Sequence, residues 1–189
     1  QEYCDRGDEV VLYSFTLQYP SFLFPGTTQY EGGDAPKNLK IKTLINSVNP
    51  FSWVSVACKI NNEQPDYVII RYWLPFMAPC LGSIARLLNK KIKIIAITDN
   101  VIPHEKRIGD TLFTRYFVKS CDAFLSLSAS VLDDLSKFTD STFKKFIPHP
   151  IYDVFGDTIP KEKALENLGL KPKDKHLLFF GFVRKYKGL

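Results

Sequence analysis

The chain has 189 residues, enough for one full domain and part of a second. It is 45% hydrophobic and 24% charged, as globular proteins are, and no apolar run approaches the roughly 20 residues that cross a bilayer. The net charge of +5 lies in residues 161–189, where eight Lys/Arg face three Asp/Glu; no nucleic-acid motif accompanies it, so nucleic acid is not the expected partner.

The first expected strand is EVVLYSF (9–15). Continuous rather than alternating apolarity marks a strand covered on both faces, as in a parallel sheet. Residues 16–38, broken by Pro20, Pro25, Gly26, Gly32, Gly33 and Pro36, read as a long loop. Its aromatics, Tyr19, Phe22, Phe24 and Tyr30, suit packing or substrate contact better than disorder. Asn49 as N-cap and Pro50 at the first helical position start a helix, with Phe51, Val54, Ala57 and Cys58 expected on one face.

A strand over DYVIIR (66–71) and a helix over 77–90, ending in cations, come next. A strand follows over KIKIIAIT (91–98), then a helix over 110–120 with Phe113 and Phe117 one turn apart, and a strand over DAFLSLS (122–128). The helix SASVLDDLSKF (128–138) is expected to open with a capping box from Ser130 to Asp133. After FIPHPIYDVFGD the pattern restarts: KEKALENLGL reads as a helix stopped by Gly169, and HLLFFGF (176–182) as a strand. The boundary between domains is expected near residue 155.

Strands alternating with helices predict a Rossmann-like, doubly wound parallel α/β sheet. Ligands of such sheets bind beyond the carboxyl ends of the strands. That rule selects Tyr72 and Trp73, the segment Asp99 to Glu105, and Ser128. Cys4, Cys58, Cys80 and Cys121 share no ligand spacing and read as buried free thiols of a reducing, cytoplasmic compartment. The three His lack paired ligands, so zinc is not expected. No P-loop, nucleophile elbow or dinucleotide glycine fingerprint is present.

RGDEVVLYSF, ITDNVIPHE, CDAFLSLSASVLDDL, IPHPIYDVFG and LLFFGFVRKYKGL stand in that order. In order and spacing, and over nearly the whole chain, they resemble the bacterial glycosyltransferases of family 4, which have the two-lobed GT-B fold. The resemblance implies that residues 1–155 are an acceptor-binding amino lobe without its first strand. It implies that 156–189 open the nucleotide-sugar-binding carboxyl lobe. The chain would then be truncated at both ends and inactive alone. The activity implied is retaining transfer of a sugar from a nucleotide-sugar donor to a glycan or lipid-linked acceptor in surface polysaccharide assembly. No metal or other cofactor is implied, and peripheral contact with the inner membrane is.

The family's glycine-to-Lys-Gly pattern falls on Gly181, Lys187 and Gly188. Arg184 and Lys187 would hold the donor diphosphate, where fixed cations stabilise charge growing on the leaving oxygen. The family's Arg directly after the glycine is Phe182 here, with Arg184 offset by two; the other reading is a solvated cationic loop. Where many members carry a reaction-centre His, this chain has Asp99, followed by Asn100, with His104 and Glu105 close behind. Asp99 and His104 are the catalytic candidates; Asp99 also reads as a turn cap, and His104 as a loop side chain bonded to backbone. Arg71, Trp73, Asn100 and Glu105 are the acceptor-binding candidates, although core packing fits Tyr72 and Trp73 equally well. The alternative function is a non-catalytic α/β domain holding a phosphorylated or sugar ligand.

Overall fold

The computed structural model describes residues 2–23, 39–103, 105, 107–149 and 156–179. The chain divides into two compact units, Gln1–Pro148 and His149–Leu189. The boundary expected near 155 falls in 150–155, outside the described residues.

In the first unit, α1 (Glu2–Asp5) precedes β1 (Val11–Leu17), which pairs in parallel with β2 (Lys40–Asn46). The 14-residue α2 (Pro50–Glu63) follows. It starts as its sequence dictates: Asn49 Oδ1 accepts a hydrogen bond from Phe51 N at 3.0 Å, and Pro50 occupies the first turn. Its buried face is Val56, Ala57 and Ile60, whereas Phe51 and Val54 are 86% and 51% exposed and Cys58 is exposed. The expected stripe of Phe51, Val54, Ala57 and Cys58 is therefore turned largely outward. Trp53 Nε1 donates to Asn46 O at 2.7 Å, which fixes the helix rotation.

Four parallel strands, β3 (Tyr67–Tyr72), β4 (Lys93–Thr98), β5 (Ala123–Ser126) and β6 (Lys144–Phe146), stand in sequence order. They are linked by α3 (Ala78–Leu87), α4 (Asp110–Val118) and α5 (Ala129–Leu135). The architecture is Rossmann-like α/β. Its backbone ladders form two separate sheets, β1–β2 and β3–β6.

The pleat of β3 to β5 assigns alternate residues to opposite faces. Ile70, Tyr72, Ile94, Ala96, Thr98, Phe124 and Ser126 point into the core with α2, α3 and α4, while Tyr67, Ile69 and Arg71 are exposed. Phe117 lies flat on Tyr72, with ring centroids 4.2 Å apart and planes 6° from parallel. Gly82 lets α3 and α4 close: a Cβ there would stand 2.9 Å from the Tyr116 ring, and the Arg86 guanidinium lies 3.8 Å over that ring. α5 starts at Ser128 without a side-chain cap, so the expected capping box gives way to a Ser128–Ser130 hydroxyl contact of 2.8 Å.

In the second unit, α6 (Lys161–Asn167) ends at Gly169, whose φ of 65° is the left-handed conformation that stops a helix. Residues 176–179 lie outside any strand, unlike the expected run over 176–182. No helix among the described residues is long and apolar enough to cross a membrane.

Candidate functional site

Polar groups converge at the carboxyl ends of β3 and β4. Arg71 faces Ile97 across the ladder, so Asp99, two residues on, projects from the same face as its diagonal neighbour. The result is a side-on pair: Arg71 Nε to Asp99 Oδ2 at 2.6 Å, and Nη2 to Oδ1 at 3.3 Å. Asp99 N donates to Tyr72 O at 2.9 Å, extending the ladder by one bond and fixing where the carboxylate begins. The Arg71 side chain is 62% exposed and that of Asp99 24%, so the carboxylate is the more covered member of the pair. A carboxylate offers about four lone-pair sites. Arg71 takes two of those on Asp99, leaving it able to accept from a ligand hydroxyl while its orientation is held.

The opposite face of the same strand ends carries a hydroxyl network. Tyr72 OH meets Thr114 Oγ1 at 3.1 Å, and Thr114 Oγ1 donates to Val101 O at 3.2 Å. Thr98 Oγ1 lies 2.8 Å from Ser126 Oγ, its partner across the β4–β5 ladder. The Thr114–Val101 bond anchors the segment after β4 to α4, and the Thr98–Ser126 contact ties the end of β4 to β5, so Asp99 is held between fixed points. Tyr72 is fully buried, and burial pushes its phenol well above the ordinary range. It is a packing residue, which decides between the two readings of its aromatic ring.

Trp73 lies in a partly buried aromatic cluster. Its Nε1 donates to Tyr19 OH at 2.5 Å, its ring stands edge-on to Phe15 at 6.4 Å and 87°, and Tyr19 stacks on Phe76 at 6.3 Å. Sequence reasoning named Tyr19 only as one aromatic of a loop; its pairing with Trp73, 54 residues away, needed the fold.

Arg71, Asp99 and Trp73 are thus grouped around the ends of two adjacent strands. Asn100 is half-buried and Glu105 exposed in the segment that follows β4. His104, Gly181, Arg184 and Lys187 lie outside the described residues. Ser128 serves as the start of α5, its carbonyl accepting from Leu132 N at 3.1 Å.

Sequence reasoning missed Ser47, at the carboxyl end of β2. It is 4% exposed, and its hydroxyl has no hydrogen-bond partner among the described residues. Among the described residues no group of three His, Cys, Asp or Glu could hold a metal ion. A scan of the sequence against protein-family models matched none, and a search of curated proteins returned no match.

Proposed function

We propose that this chain belongs to a retaining glycosyltransferase that moves a sugar from a nucleotide-sugar to a glycan or lipid-linked acceptor in bacterial surface polysaccharide assembly. The observation that carries the reading is the Arg71–Asp99 pair at the carboxyl ends of β3 and β4, beside the Trp73 cluster. Sugars offer hydroxyls to a carboxylate and apolar C–H faces to aromatic rings. An Arg-oriented carboxylate beside a tryptophan is a fitting acceptor platform at the end of a Rossmann-like sheet where ligands bind.

In transfer, the bond from the anomeric carbon to the diphosphate oxygen breaks, the acceptor oxygen takes its place, and the acceptor's hydroxyl proton passes to the departing diphosphate. Asp99 would accept a hydrogen bond from that acceptor. Arg184 and Lys187, by their resemblance to the family's pattern, would meet the charge on the departing diphosphate. The setting is the cytoplasm, with peripheral contact at the inner membrane where the acceptor is lipid-linked.

The test is binding. UDP- and GDP-sugars titrated into the protein and its Lys187→Ala variant, and glycan acceptors into the protein and its Asp99→Asn variant, are followed by calorimetry. Trp73, one of two tryptophans, supplies a fluorescence readout for the acceptor. Loss of a hydrogen bond to a charged group predicts about a tenfold weakening or more for each variant toward its own ligand. Equal affinities in wild type and variants would overturn the assignment. Binding without transfer by the two-lobed protein of which the resemblance makes this chain a part would favour the non-catalytic alternative.

A further inference from the structure

β2 and β3 are joined by one crossover helix. Val56, Ala57 and Ile60 of α2 share a buried core with Ile45 of β2 and with Ile70 and Tyr72 of β3. One helix thus covers both ladders, and β1–β2 and β3–β6 are two parts of one parallel layer. They do not join: among the described residues β1 pairs with β2 alone, and β3 with β4 alone. Side chains span the break at its carboxyl end. The Phe15 ring of β1 lies 6.4 Å from the Trp73 ring just past β3, and Trp73 Nε1 donates to the hydroxyl of Tyr19, just past β1. These contacts put β1, not β2, next to β3.

Strands that bond directly lie about 4.8 Å apart, and one strand between them sets them about 9.6 Å apart. β1 and β3 make no ladder with each other, yet ring contacts still bridge them, as a slot one strand wide allows. The edge of β3 can be read residue by residue. Asp66 O accepts from Lys93 N at 3.0 Å, and Tyr72 O from Asp99 N at 2.9 Å. Alternate residues of a parallel strand turn both N–H and C=O toward opposite neighbours. Val68 and Ile70 therefore bond to β4, while Tyr67 and Ile69 offer N–H and C=O toward β1. Backbone groups at an unpaired sheet edge are a template for another strand. Apolar contact is on offer as well: Leu12, Tyr67 and Ile69, on the face away from α2, are 47%, 63% and 49% exposed beside the slot.

We infer that the facing edges of β1 and β3 form a docking slot for one extended peptide segment, as long as the 6 residues of β3 and parallel to both strands. The slot dictates the segment's chemistry. An interior strand of a parallel sheet is covered on both faces, so the segment is continuously apolar. It bonds on both sides, so it contains no proline. Its carboxyl end lies at Trp73, where the strand order turns back on itself, and ligands of doubly wound sheets bind at that turning point. The docked segment forms a wall of the site around Arg71 and Asp99. The resemblance implies a lobe lacking a strand; the ladders, without it, fix that strand's place, direction and chemistry.

Amide hydrogen exchange of the whole chain, resolved by NMR, tests the slot without any sugar, so this inference and the glycosyltransferase reading fail separately. In the monomer, Tyr67 and Ile69 are expected to exchange about a hundredfold or more faster than Val68 and Ile70. The probe is a peptide of alternating Val and Ile, as long as β3, between lysine pairs. At saturation it is expected to slow Tyr67 and Ile69 about tenfold or more, because both amides gain a partner. The same peptide with proline at its centre should leave them fast. Slow exchange at Tyr67 and Ile69 in the monomer without peptide means that a segment of this chain already closes the edge, and overturns the proposal. So does protection that rises with protein concentration alongside a dimer in sedimentation, since the occupant is then a second copy. Fast exchange that the Val–Ile peptide leaves unchanged, or that the proline peptide slows equally, overturns it too.

Discussion

Ser47 and Phe117 are both buried, and the chemistry of each predicts effects of opposite sign. Phe117 is fully covered and stacked on Tyr72, which itself has no exposed surface. Truncation to alanine removes the ring and leaves a cavity against a rigid neighbour; the Phe117→Ala cost is about 3–5 kcal/mol. Ser47 is buried with its hydroxyl unpaired among the described residues, so Ser47→Ala removes a desolvated polar group at little packing cost. That change is expected to be neutral or stabilising by about 1 kcal/mol. Urea unfolding of both variants measures the two signs together. A destabilised Ser47→Ala would mean that its hydroxyl has a partner in solution, and the site would then gain a polar group to account for.

At the scale of the element, β1, β2 and α2 are pinned at one point. Glu63, the last residue of α2, accepts from Tyr13 OH of β1 at 3.0 Å and from the Lys42 ammonium of β2. Burial alone would raise the Glu63 carboxyl, but the bonds from Lys42 and Tyr13 outweigh it and hold it below its ordinary value. The bond to Glu63 raises Lys42, and burial followed by that same bond raises Tyr13. A lowered carboxyl contributes stability that is present above its unfolded value of 4.5 and lost as pH falls through the folded one. The raised Lys42 and Tyr13 contribute stability that is present below 10.5 and 10.0 and lost as pH climbs through their folded values. The buried thiols of Cys80 and Cys121, raised from 9.0, add a loss of the same sign that begins lower, so unfolding midpoints measured against pH should be flat between 4.5 and 9.0. Glu63→Gln should flatten the acid limb and weaken the alkaline one, leaving the alkaline loss that belongs to the buried Tyr72, Cys80 and Cys121. An acid limb unchanged in Glu63→Gln would show that the pin carries no stability.

The same elements show what could be read beforehand. β3, β4 and β5 are legible because both their faces read as apolar. β2 is not: Lys40 and Lys42 break the run, and only the ammonium contact to Glu63 shows why a lysine suits that strand. β6, at three residues with two lysines, offers no apolar signal. The buried face of α2 differs from the expected one because its apolar arc, bounded by the polar stripe Ser52, Ser55, Lys59 and Asn62, is wide enough to hold both Phe51–Val54–Cys58 and Val56–Ala57–Ile60, and periodicity alone cannot choose between them. Asp99 was singled out by the strand-end rule and Arg71 as an acceptor-binding candidate beside the resemblance. Their pairing was not, because it depends on the register of two strands 28 residues apart.

Across the first unit, the cysteines report whether the fold opens locally or as a whole. All four belong to Gln1–Pro148, and the second unit carries none, so thiol chemistry reads the first unit alone. Cys80 lies in the core at the start of α3, and burial pushes its thiol up to about 12; burial does the same to Cys121, beside Phe117 O at 3.6 Å. Only thiolates attack a disulfide reagent, so at pH near 8 these two stay protonated as well as shielded. Cys58 is exposed on α2 and Cys4 half-exposed in α1, against the expectation that all four would be buried. A disulfide reagent should therefore modify Cys58 and Cys4 rapidly in the native protein, and Cys80 and Cys121 only as the unit unfolds. The slow phase should accelerate with urea at the slope of global unfolding, and again in Phe117→Ala, which removes the ring packed on Tyr72. A slow phase independent of urea would mean that α3 and α4 open locally. Four equal fast rates would mean that the core joining β2 to β3 through α2 does not close at all.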